Sequence, residues 1–280
     1  MRHFQRSLQE IDCSLNSRQH PSAGRFASRT TAYELCKHTH AFRGEKLMSN
    51  ASCSNQISTC ISHALRQATR DHSPFPHWTA DNILPCKTLS ELQHLPTCQL
   101  ELDHRDGQRA SNNKFRQYLH GDTFIKYEVE QEISAVFQSP SIVELLSTMC
   151  AIDLSGCFLR IEYACDKDGF WLEPHTDIGA KKFTLLLYLS RSCGKDLGTS
   201  LYSDKHTFHS NAPWAPNRAV FFVPSDRSWH GFHKRRITNP RKSLIINYVC
   251  PAWRAKNELA FPQTLTDRST NGAKQELTPT

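Results

Sequence analysis

Short strand-like runs dominate the second half of the chain and constrain its fold more than any other feature. Five runs are rich in β-branched and aromatic residues. They are FLRIEYA (158–164), KFTLLLYLS (182–190), TSLY (199–202), RAVFFVP (218–224) and KSLIINYV (242–249). Turn residues such as Asp168-Gly169 and Asn239-Pro240 separate these runs, without a helical pattern between them. Short strands in succession predict an all-β core, either a sandwich or a jelly roll.

A helical period precedes these strands, from about residue 112 to residue 152. Its apolar residues share one face, at Val129, Ile133, Val136 and Phe137. Ser141-x-x-Glu144 has the form of a capping box, which would open a second helix with Val143, Leu146 and Cys150 facing inward. The fold class expected is therefore mainly β with helical support (α+β).

Composition divides the chain into a central domain with a tail at each end. Residues 1–72 are rich in Ser, Arg, His, Gln and Thr, and their apolar residues are too sparse for a periodic face, so they predict a basic, largely disordered arm. Residues 263–280 are polar and predict a disordered tail. The domain between them, residues 73–262, would hold the helices and a jelly-roll core at about 156–262.

Cysteine and hydropathy patterns favour a cytoplasmic protein. The eleven cysteines are scattered, odd in number and without a CxxC pair, so they indicate reduced thiols rather than disulfides. No run approaches the roughly 20 apolar residues of a membrane helix. The first residues also lack the apolar core of a secretory signal. We therefore expect no membrane partner.

Charge is concentrated in the first 48 residues. Eight Lys or Arg and four Asp or Glu give this segment +4 of the net charge of +7, which leaves +3 for the other 232 residues. A body so close to neutral disfavours nucleic acid as a partner. The basic run 233–236 (HKRR) is typical of a solvated loop.

Three His-x-Asp pairs are candidates for a metal site, and a chain with 15 histidines produces such pairs by chance. The pairs at His104 and His120 lie in polar segments, where a surface histidine is the expected role. The pair His175-x-Asp177 lies between two strand candidates. Residues i and i+2 of a strand point to the same side, so this imidazole and carboxylate could reach one ion.

A second histidine follows in the sequence, and then an arginine and a serine that could bind a carboxylate, in the order that such a site requires. Two histidines and one carboxylate with open positions are typical of non-haem Fe(II) oxygenases. His230 follows the strand at 218–224 and a short turn, which would bring it opposite the first pair; His206, His209 and His233 are rivals by composition alone. Arg241 and Ser243 then share a face of the last strand, where a guanidinium and a hydroxyl suit a bound carboxylate.

This order resembles the 2-oxoglutarate and Fe(II)-dependent dioxygenase superfamily, especially its prolyl-hydroxylase-like branch. The resemblance covers roughly residues 156–262 and implies a double-stranded β-helix, or jelly roll, supported by helices. It implies that His175, Asp177 and His230 are the iron ligands. It also implies that Arg241, assisted by Ser243, binds the far carboxylate of 2-oxoglutarate.

The same resemblance implies further contacts and a reaction. Tyr163 and Tyr188 stand where related enzymes place tyrosines that hydrogen-bond the cosubstrate, although each equally suits a core aromatic. The implied cofactor is Fe(II), with 2-oxoglutarate and O2 as cosubstrates and ascorbate as a candidate reductant. The implied reaction is hydroxylation of a bound substrate, with decarboxylation of 2-oxoglutarate to succinate and CO2.

The substrate class stays open at this point. Superfamily members that repair nucleic acid carry a second Arg six residues after the first, where this chain has Asn247, so repair is disfavoured. A nearly neutral body without repeats favours a small molecule, such as a metabolite, amino acid or glycan. The alternatives are a peptidyl (prolyl-type) hydroxylase, a cupin-like metal-binding protein without catalysis, and a factor tethered to nucleic acid by the basic arm.

Overall fold

The computed structural model describes residues 53–96, 115–177, 179–191 and 196–268, all of which belong to one compact unit. Its helices are α1 (53–66), α2 (Cys86–His94), α3 (Gly121–Phe124), α4 (Glu128–Gln138) and α5 (Pro140–Cys150), with a 3-10 turn at Lys256–Glu258. Its strands are β1 (Thr69–Asp71), β2 (His77–Ala80), β3 (Arg116–Tyr118), β4 (Phe158–Asp166), β5 (Leu172–His175), β6 (Lys181–Tyr188), β7 (Ser200–Tyr202), β8 (Phe208–Asn211), β9 (Ala219–Phe222), β10 (His230–Phe232) and β11 (Arg241–Val249).

The strands form two antiparallel sheets. The larger sheet has seven strands in the order β1-β2-β9-β6-β11-β4-β3, and the smaller has four in the order β5-β10-β7-β8. All five strand-like runs of the sequence are strands, so the mixed, mainly β architecture with helical support is confirmed. The other six strands have only three or four residues each, which is too short for a period-2 pattern to stand out.

Strand parity divides the larger sheet into two chemically different faces. On the outer face, alternate residues of β4, β6 and β11, among them Tyr163, Leu187 and Leu244, join one large apolar cluster with the helices. On the inner face, Ala164, Tyr188 and Ile245 join a second cluster that includes Leu201 of the smaller sheet. The inner face is therefore the one that meets the four-stranded sheet.

The helical layer agrees with the sequence pattern except at its start, where residues 116–118 form the edge strand β3, and at one cap. Val129, Ile133, Val136 and Phe137 of α4 are all buried, as their spacing predicts. The capping box predicted at Ser141 is wrong: α5 starts at Pro140, so Ser141 lies inside its first turn. Proline suits this first position because its missing N–H has no acceptor there.

Both predicted tails are too long where the structure describes them. In α1, the side chains of Ile57, Ile61 and Leu65 are fully buried in the outer cluster, so the expected arm cannot extend to residue 72. Thr266 is also buried, and its backbone N–H donates to the Cys157 carbonyl at 2.8 Å. The rest of the predicted tails, residues 1–52 and 269–280, lies outside the described residues. None of the described helices has the length and apolar content to cross a membrane.

Candidate metal centre

Two short strands of the smaller sheet bring the two candidate histidines together. His175 ends β5 and is the register partner of His230, which starts β10, and their ring centroids are 4.3 Å apart. Asp177 follows β5 directly, and its carboxylate oxygens lie 3.6 Å from Nε2 of each histidine. One ligand atom from each residue lies within 4.8 Å of the others, so the three could hold one ion.

A glycine permits this close approach of β10 to β5. A Cβ added at Gly231 would lie 2.7 Å from the carbonyl oxygen of Leu172 and 2.9 Å from that of Glu173. Any other residue would therefore push β10 away and carry His230 with it. The glycine after His230 was visible in the sequence, but motif spacing alone gave it no role.

Backbone carbonyls orient both imidazole rings. Nδ1 of His175 lies 2.9 Å from the Glu173 carbonyl oxygen, and Nδ1 of His230 lies 2.9 Å from the Ser228 carbonyl oxygen. A carbonyl only accepts, so Nδ1 carries the proton in each neutral ring and Nε2 keeps its lone pair. Such outer hydrogen bonds are typical of metal-binding histidines.

Electrostatics keep His230 and Asp177 in the protonation states that a metal needs. Burial and the neighbouring His175 ring lower the pKa of His230 to about 3, so His230 is neutral at physiological pH. Burial alone would raise the pKa of Asp177, but the Lys181 ammonium and the two histidines outweigh it and hold that pKa well below its usual range. A divalent cation would therefore meet one neutral imidazole, that of His230, and one carboxylate, with the His175 ring beside them.

Both oxygens of Asp177 accept hydrogen bonds from β6. Lys181 Nζ donates to Oδ1 at 2.8 Å, and Thr184 Oγ1 donates to Oδ2 at 3.0 Å. Neither donor was predicted from the sequence, because neither belongs to a recognised motif. The spacing from Asp177 to Lys181 and Thr184 has no periodic signature either, since a turn separates the aspartate from β6.

Arg241 lies on the inner face, in the cavity that contains the triad. Its side chain is 1% exposed, so it does not extend to solvent as an arginine at a strand end commonly does. Its Nη1 donates to Asp166 Oδ2 at 2.5 Å and its Nε to the Leu197 carbonyl at 2.7 Å. A guanidinium has five N–H donors, so others remain for a bound carboxylate.

The hydroxyl of Ser243 is buried and has no hydrogen-bond partner among the described residues. It shares the inner face of β11 with Arg241, two residues away. A buried polar group without a protein partner is costly, and a bound ligand is one way to satisfy it. Its position fits the assisting role that the motif implies.

The two candidate tyrosines lie on opposite faces of the sheet. Tyr163 belongs to the outer cluster, and its hydroxyl donates to the Leu95 carbonyl at 3.3 Å, so the prediction that it contacts a cosubstrate is wrong. Tyr188 lies on the inner face, and the Arg241 guanidinium lies 5.4 Å from its ring centroid. The hydroxyl proton of Tyr188 goes to Thr199 Oγ1, so its ring is the part left to line the site.

The rival histidines lie elsewhere. His120 caps α3, where its side chain accepts from the Asp122 backbone N–H. His233 contacts Ser200 Oγ at 3.0 Å, His209 contacts Ser73, and His206 is exposed on a turn. His104 lies outside the described residues. Among the described residues, the triad is the only group of three that could hold an ion.

The donor set fits Fe(II). Two imidazole nitrogens and one carboxylate leave coordination positions open, whereas a structural zinc site would be closed by a fourth protein ligand. Arg241 lines the same cavity and Ser243 follows it on the same face, which fits a cosubstrate with a free carboxylate. The cavity is narrow, about 40 Å³.

Comparisons with known proteins found similar structures only. No protein-family model and no curated protein matches the chain. It is similar to the prolyl hydroxylase of Trichoplax adhaerens in complex with a hypoxia inducible factor peptide fragment (TM-score 0.46, 16% identity, covering 73% of this chain and 92% of that one). It is also similar to a prolyl-4-hydroxylase of Pseudomonas putida (TM-score 0.45, 13% identity, 70% and 100% covered).

A third similar structure is the non-heme alpha ketoglutarate dependent epimerase of nogalamycin biosynthesis (TM-score 0.42, 13% identity, 77% and 91% covered). These structures belong to the group that the order of motifs resembles, the prolyl hydroxylases and other 2-oxoglutarate and Fe(II)-dependent enzymes. Because every one of these TM-scores is below 0.5, the chemistry rests on the geometry of the site.

Proposed function

We propose that the protein is a 2-oxoglutarate and Fe(II)-dependent oxygenase built on a double-stranded β-helix, or jelly roll. One observation carries the proposal: two imidazoles and a carboxylate converge in a cavity that a buried arginine also lines. A cupin-like metal binder is the second candidate. Arg241 and Ser243 favour the oxygenase. Both are buried, the Ser243 hydroxyl has no partner among the described residues, and a metal binder has no use for two groups that bind a carboxylate.

The residues divide the work in this proposal. His175, Asp177 and His230 hold Fe(II), while Arg241 and Ser243 bind the far carboxylate of 2-oxoglutarate. The Tyr188 ring packs beside the guanidinium and excludes water there. When bound, iron supplies the oxidation of substrate by O2, coupled to decarboxylation of 2-oxoglutarate to succinate and CO2; ascorbate is a candidate reductant.

In this proposal, Lys181 controls access to the metal site, because the cavity beside the triad is narrow. Ligand pockets usually enclose roughly 300 Å³ or more, far above the 40 Å³ present beside the triad. Lys181 lines this cavity and is hydrogen-bonded to Asp177. A divalent cation would repel the ammonium from Oδ1, and the long side chain can swing out and widen the opening.

The substrate proposed is a small molecule, such as a metabolite, amino acid or glycan, in the cytoplasm. The near-neutral charge of the body supports this class over a nucleic acid. Peptidyl hydroxylation is the alternative, which a panel of free metabolites and proline-containing peptides would separate by mass spectrometry. Turnover of peptides and of no free metabolite would contradict the small-molecule proposal.

Anaerobic titration with Fe(II) and then 2-oxoglutarate tests the site directly. Chelation of iron by 2-oxoglutarate should produce a visible charge-transfer band in the wild type and none in His175→Ala. His120→Ala, a change at the capping histidine, is the matched control and should keep the band. A folded wild type that binds Fe(II) without the band would favour the cupin-like metal binder.

A further inference from the structure

A row of hydrogen bonds leads from Asp177 into the interior of the larger sheet. Thr184 Oγ1 donates to Asp177 Oδ2 at 3.0 Å. Asn247 Nδ2 donates to Thr184 Oγ1 at 3.0 Å, and Arg160 Nη1 donates to Asn247 Oδ1 at 3.1 Å. Thr184, Asn247 and Arg160 are 1%, 0% and 6% exposed, so water does not compete for these bonds.

Sheet register aligns the row. Asn247 of β11 is the direct partner of Arg160 on β4 and of Thr184 on β6. The three side chains therefore lie side by side on the inner face, on neighbouring strands about 4.8 Å apart. The backbone pairing itself puts them within hydrogen-bonding distance.

The direction of the row is set at its far end. A guanidinium only donates, so Arg160 requires the oxygen of the Asn247 amide, and the amide nitrogen must then face Thr184. That nitrogen also lies 3.4 Å from the Phe183 carbonyl, which only accepts. Because Asn247 donates to the Thr184 oxygen, the single hydroxyl proton of Thr184 is left for Asp177.

Arg160 is itself held firmly in place. Its Nε donates to Glu258 at 2.6 Å, and its Nη2 donates to Glu162 and to the Tyr118 hydroxyl, each at 3.1 Å. Its guanidinium also lies 4.7 Å from the Tyr118 ring centroid. A cation with so many buried or half-buried partners has one orientation, which makes it a fixed origin for the row.

We propose that Arg160, Asn247 and Thr184 are positioning residues that orient the metal-binding carboxylate of Asp177. This row, the Arg160–Asn247–Thr184 relay, keeps Oδ2 of Asp177 hydrogen-bonded to the fixed Thr184 hydroxyl. The donor to Oδ1 is Lys181, whose side chain is flexible and can move away. Oδ1 is then the oxygen that a divalent cation takes over. The relay also gives a role to Asn247, at the position where the nucleic-acid repair enzymes carry their second Arg.

The inference rests on the metal centre of the proposed function and is tested without turnover. Titration of the protein with Co(II), followed by its visible d–d absorption, reports both affinity and ligand geometry. Thr184→Val removes the hydroxyl at nearly constant volume and should weaken Co(II) binding by about 10- to 100-fold, the usual cost of losing an outer-shell partner. Thr184→Ser should restore both the affinity and the spectrum.

Asn247→Asp separates the relay from the single hydrogen bond. The new carboxylate still accepts from Arg160 but cannot donate, so the Thr184 hydroxyl turns to residue 247 and Oδ2 of Asp177 loses its donor. Co(II) binding should weaken as in Thr184→Val, and the double variant should be no weaker than Thr184→Val alone. The matched control is Asn217→Asp, the same change at a buried asparagine that bonds Leu84; it should lower the melting temperature and spare Co(II) affinity.

The possible outcomes test the relay and the metal centre separately. Co(II) affinity within twofold of the wild type in either Thr184→Val or Asn247→Asp would overturn the relay, and the second variant carries the test if the first does not fold. Failure of the wild type to bind Co(II), or binding that survives in His175→Ala, would instead overturn the metal centre. The two failures are therefore distinguishable.

Discussion

At the scale of a single residue, a change at Ser243 can separate an effect on 2-oxoglutarate binding from an effect on stability. Ser243→Ala removes no hydrogen bond among the described residues, so the melting temperature should not fall. If Ser243 assists Arg241, the affinity for 2-oxoglutarate should drop about tenfold, because a hydrogen bond to a charged group contributes about 1.5 kcal/mol or more. The charge-transfer band, titrated anaerobically, measures this affinity.

The control for Ser243 is another buried hydroxyl that lacks a partner within the described part of the chain, Ser134 of α4. Ser134→Ala should leave both the melting temperature and the 2-oxoglutarate affinity unchanged. Equal affinity in Ser243→Ala and the wild type would show that the hydroxyl does not contact the cosubstrate. It would leave Arg241 as the sole candidate partner of its far carboxylate.

Lys181 offers a second test at this scale, because its ammonium occupies Oδ1 of Asp177. Lys181→Met keeps most of the apolar stem and removes the competing charge. Metal binding should therefore tighten, by up to about tenfold if the charge-assisted bond contributes near 1.5 kcal/mol. Co(II) titration measures the change, and Lys182→Met, at the exposed neighbour, is the control. Weaker binding in Lys181→Met would mean that the lysine orients Asp177 instead of competing for it.

At the scale of the elements, strand parity decides which candidate residues reach the site. Arg241, Ser243 and Tyr188 share the inner face, whereas Tyr163 is one residue out of phase with Ala164 and faces the helices. The sequence showed that Tyr163 lay in a strand, but not which face of that strand met the second sheet. Polar residues such as Arg160 and Glu162 do alternate with apolar residues along β4, but residues 159–166 are all buried. The alternation therefore does not mark a solvent face, and it does not say which face meets the second sheet.

Pairing between strands is the other thing that motif spacing could not supply. His175, Asp177 and His230 were predictable because each belongs to a motif with ordered spacing. Arg160, Thr184 and Asn247 come from three different strands, and only the register of β4, β11 and β6 makes them neighbours. Motif spacing contains no signal for that register, because a slip of two residues would keep every side chain on its own face of the sheet.

Gly231 tests the contact between elements that brings the histidines together. Gly231→Ala would place a Cβ within 3 Å of the carbonyl oxygens of Leu172 and Glu173, so β10 must shift away from β5. Overpacking of this kind costs about 1–3 kcal/mol, and the shift should also weaken Co(II) binding. Gly121→Ala, where an added Cβ meets nothing within 4 Å, is the control. Unchanged Co(II) affinity in Gly231→Ala would show that the histidines tolerate a displaced β10.

At the scale of the whole molecule, the extent of the folded domain was the part of the prediction that failed most. Ile57, Ile61, Ala64 and Leu65 of α1 follow a helical spacing of i, i+4, i+7 and i+8. The pattern was present in the sequence, but polar residues surround it and outweigh it in overall composition. Composition averaged over a long segment therefore hides a short amphipathic helix that the domain needs to cover its outer cluster.

Truncated chains would locate the N-terminal boundary of the folded domain. Burial of an Ile or Leu side chain contributes about 1.5–3 kcal/mol, so the loss of Ile57, Ile61 and Leu65 together would remove most of the 5–15 kcal/mol that typically stabilises a domain. A chain without residues 1–47 should melt at the temperature of the full chain, whereas a chain without residues 1–66 should not fold cooperatively.

Point variants of the full chain separate packing from length. Ile61→Ala should cost about 2–5 kcal/mol in denaturant unfolding, because the side chain is fully buried and leaves a cavity. Gln56→Ala, at an exposed position of the same helix, should cost nearly nothing. Because the outer cluster and the inner face share β4, β6 and β11, destabilised Ile61→Ala should also lose Co(II) at a lower temperature than the wild type. Equal stability of the two variants would show that α1 is dispensable and that the domain begins at β1.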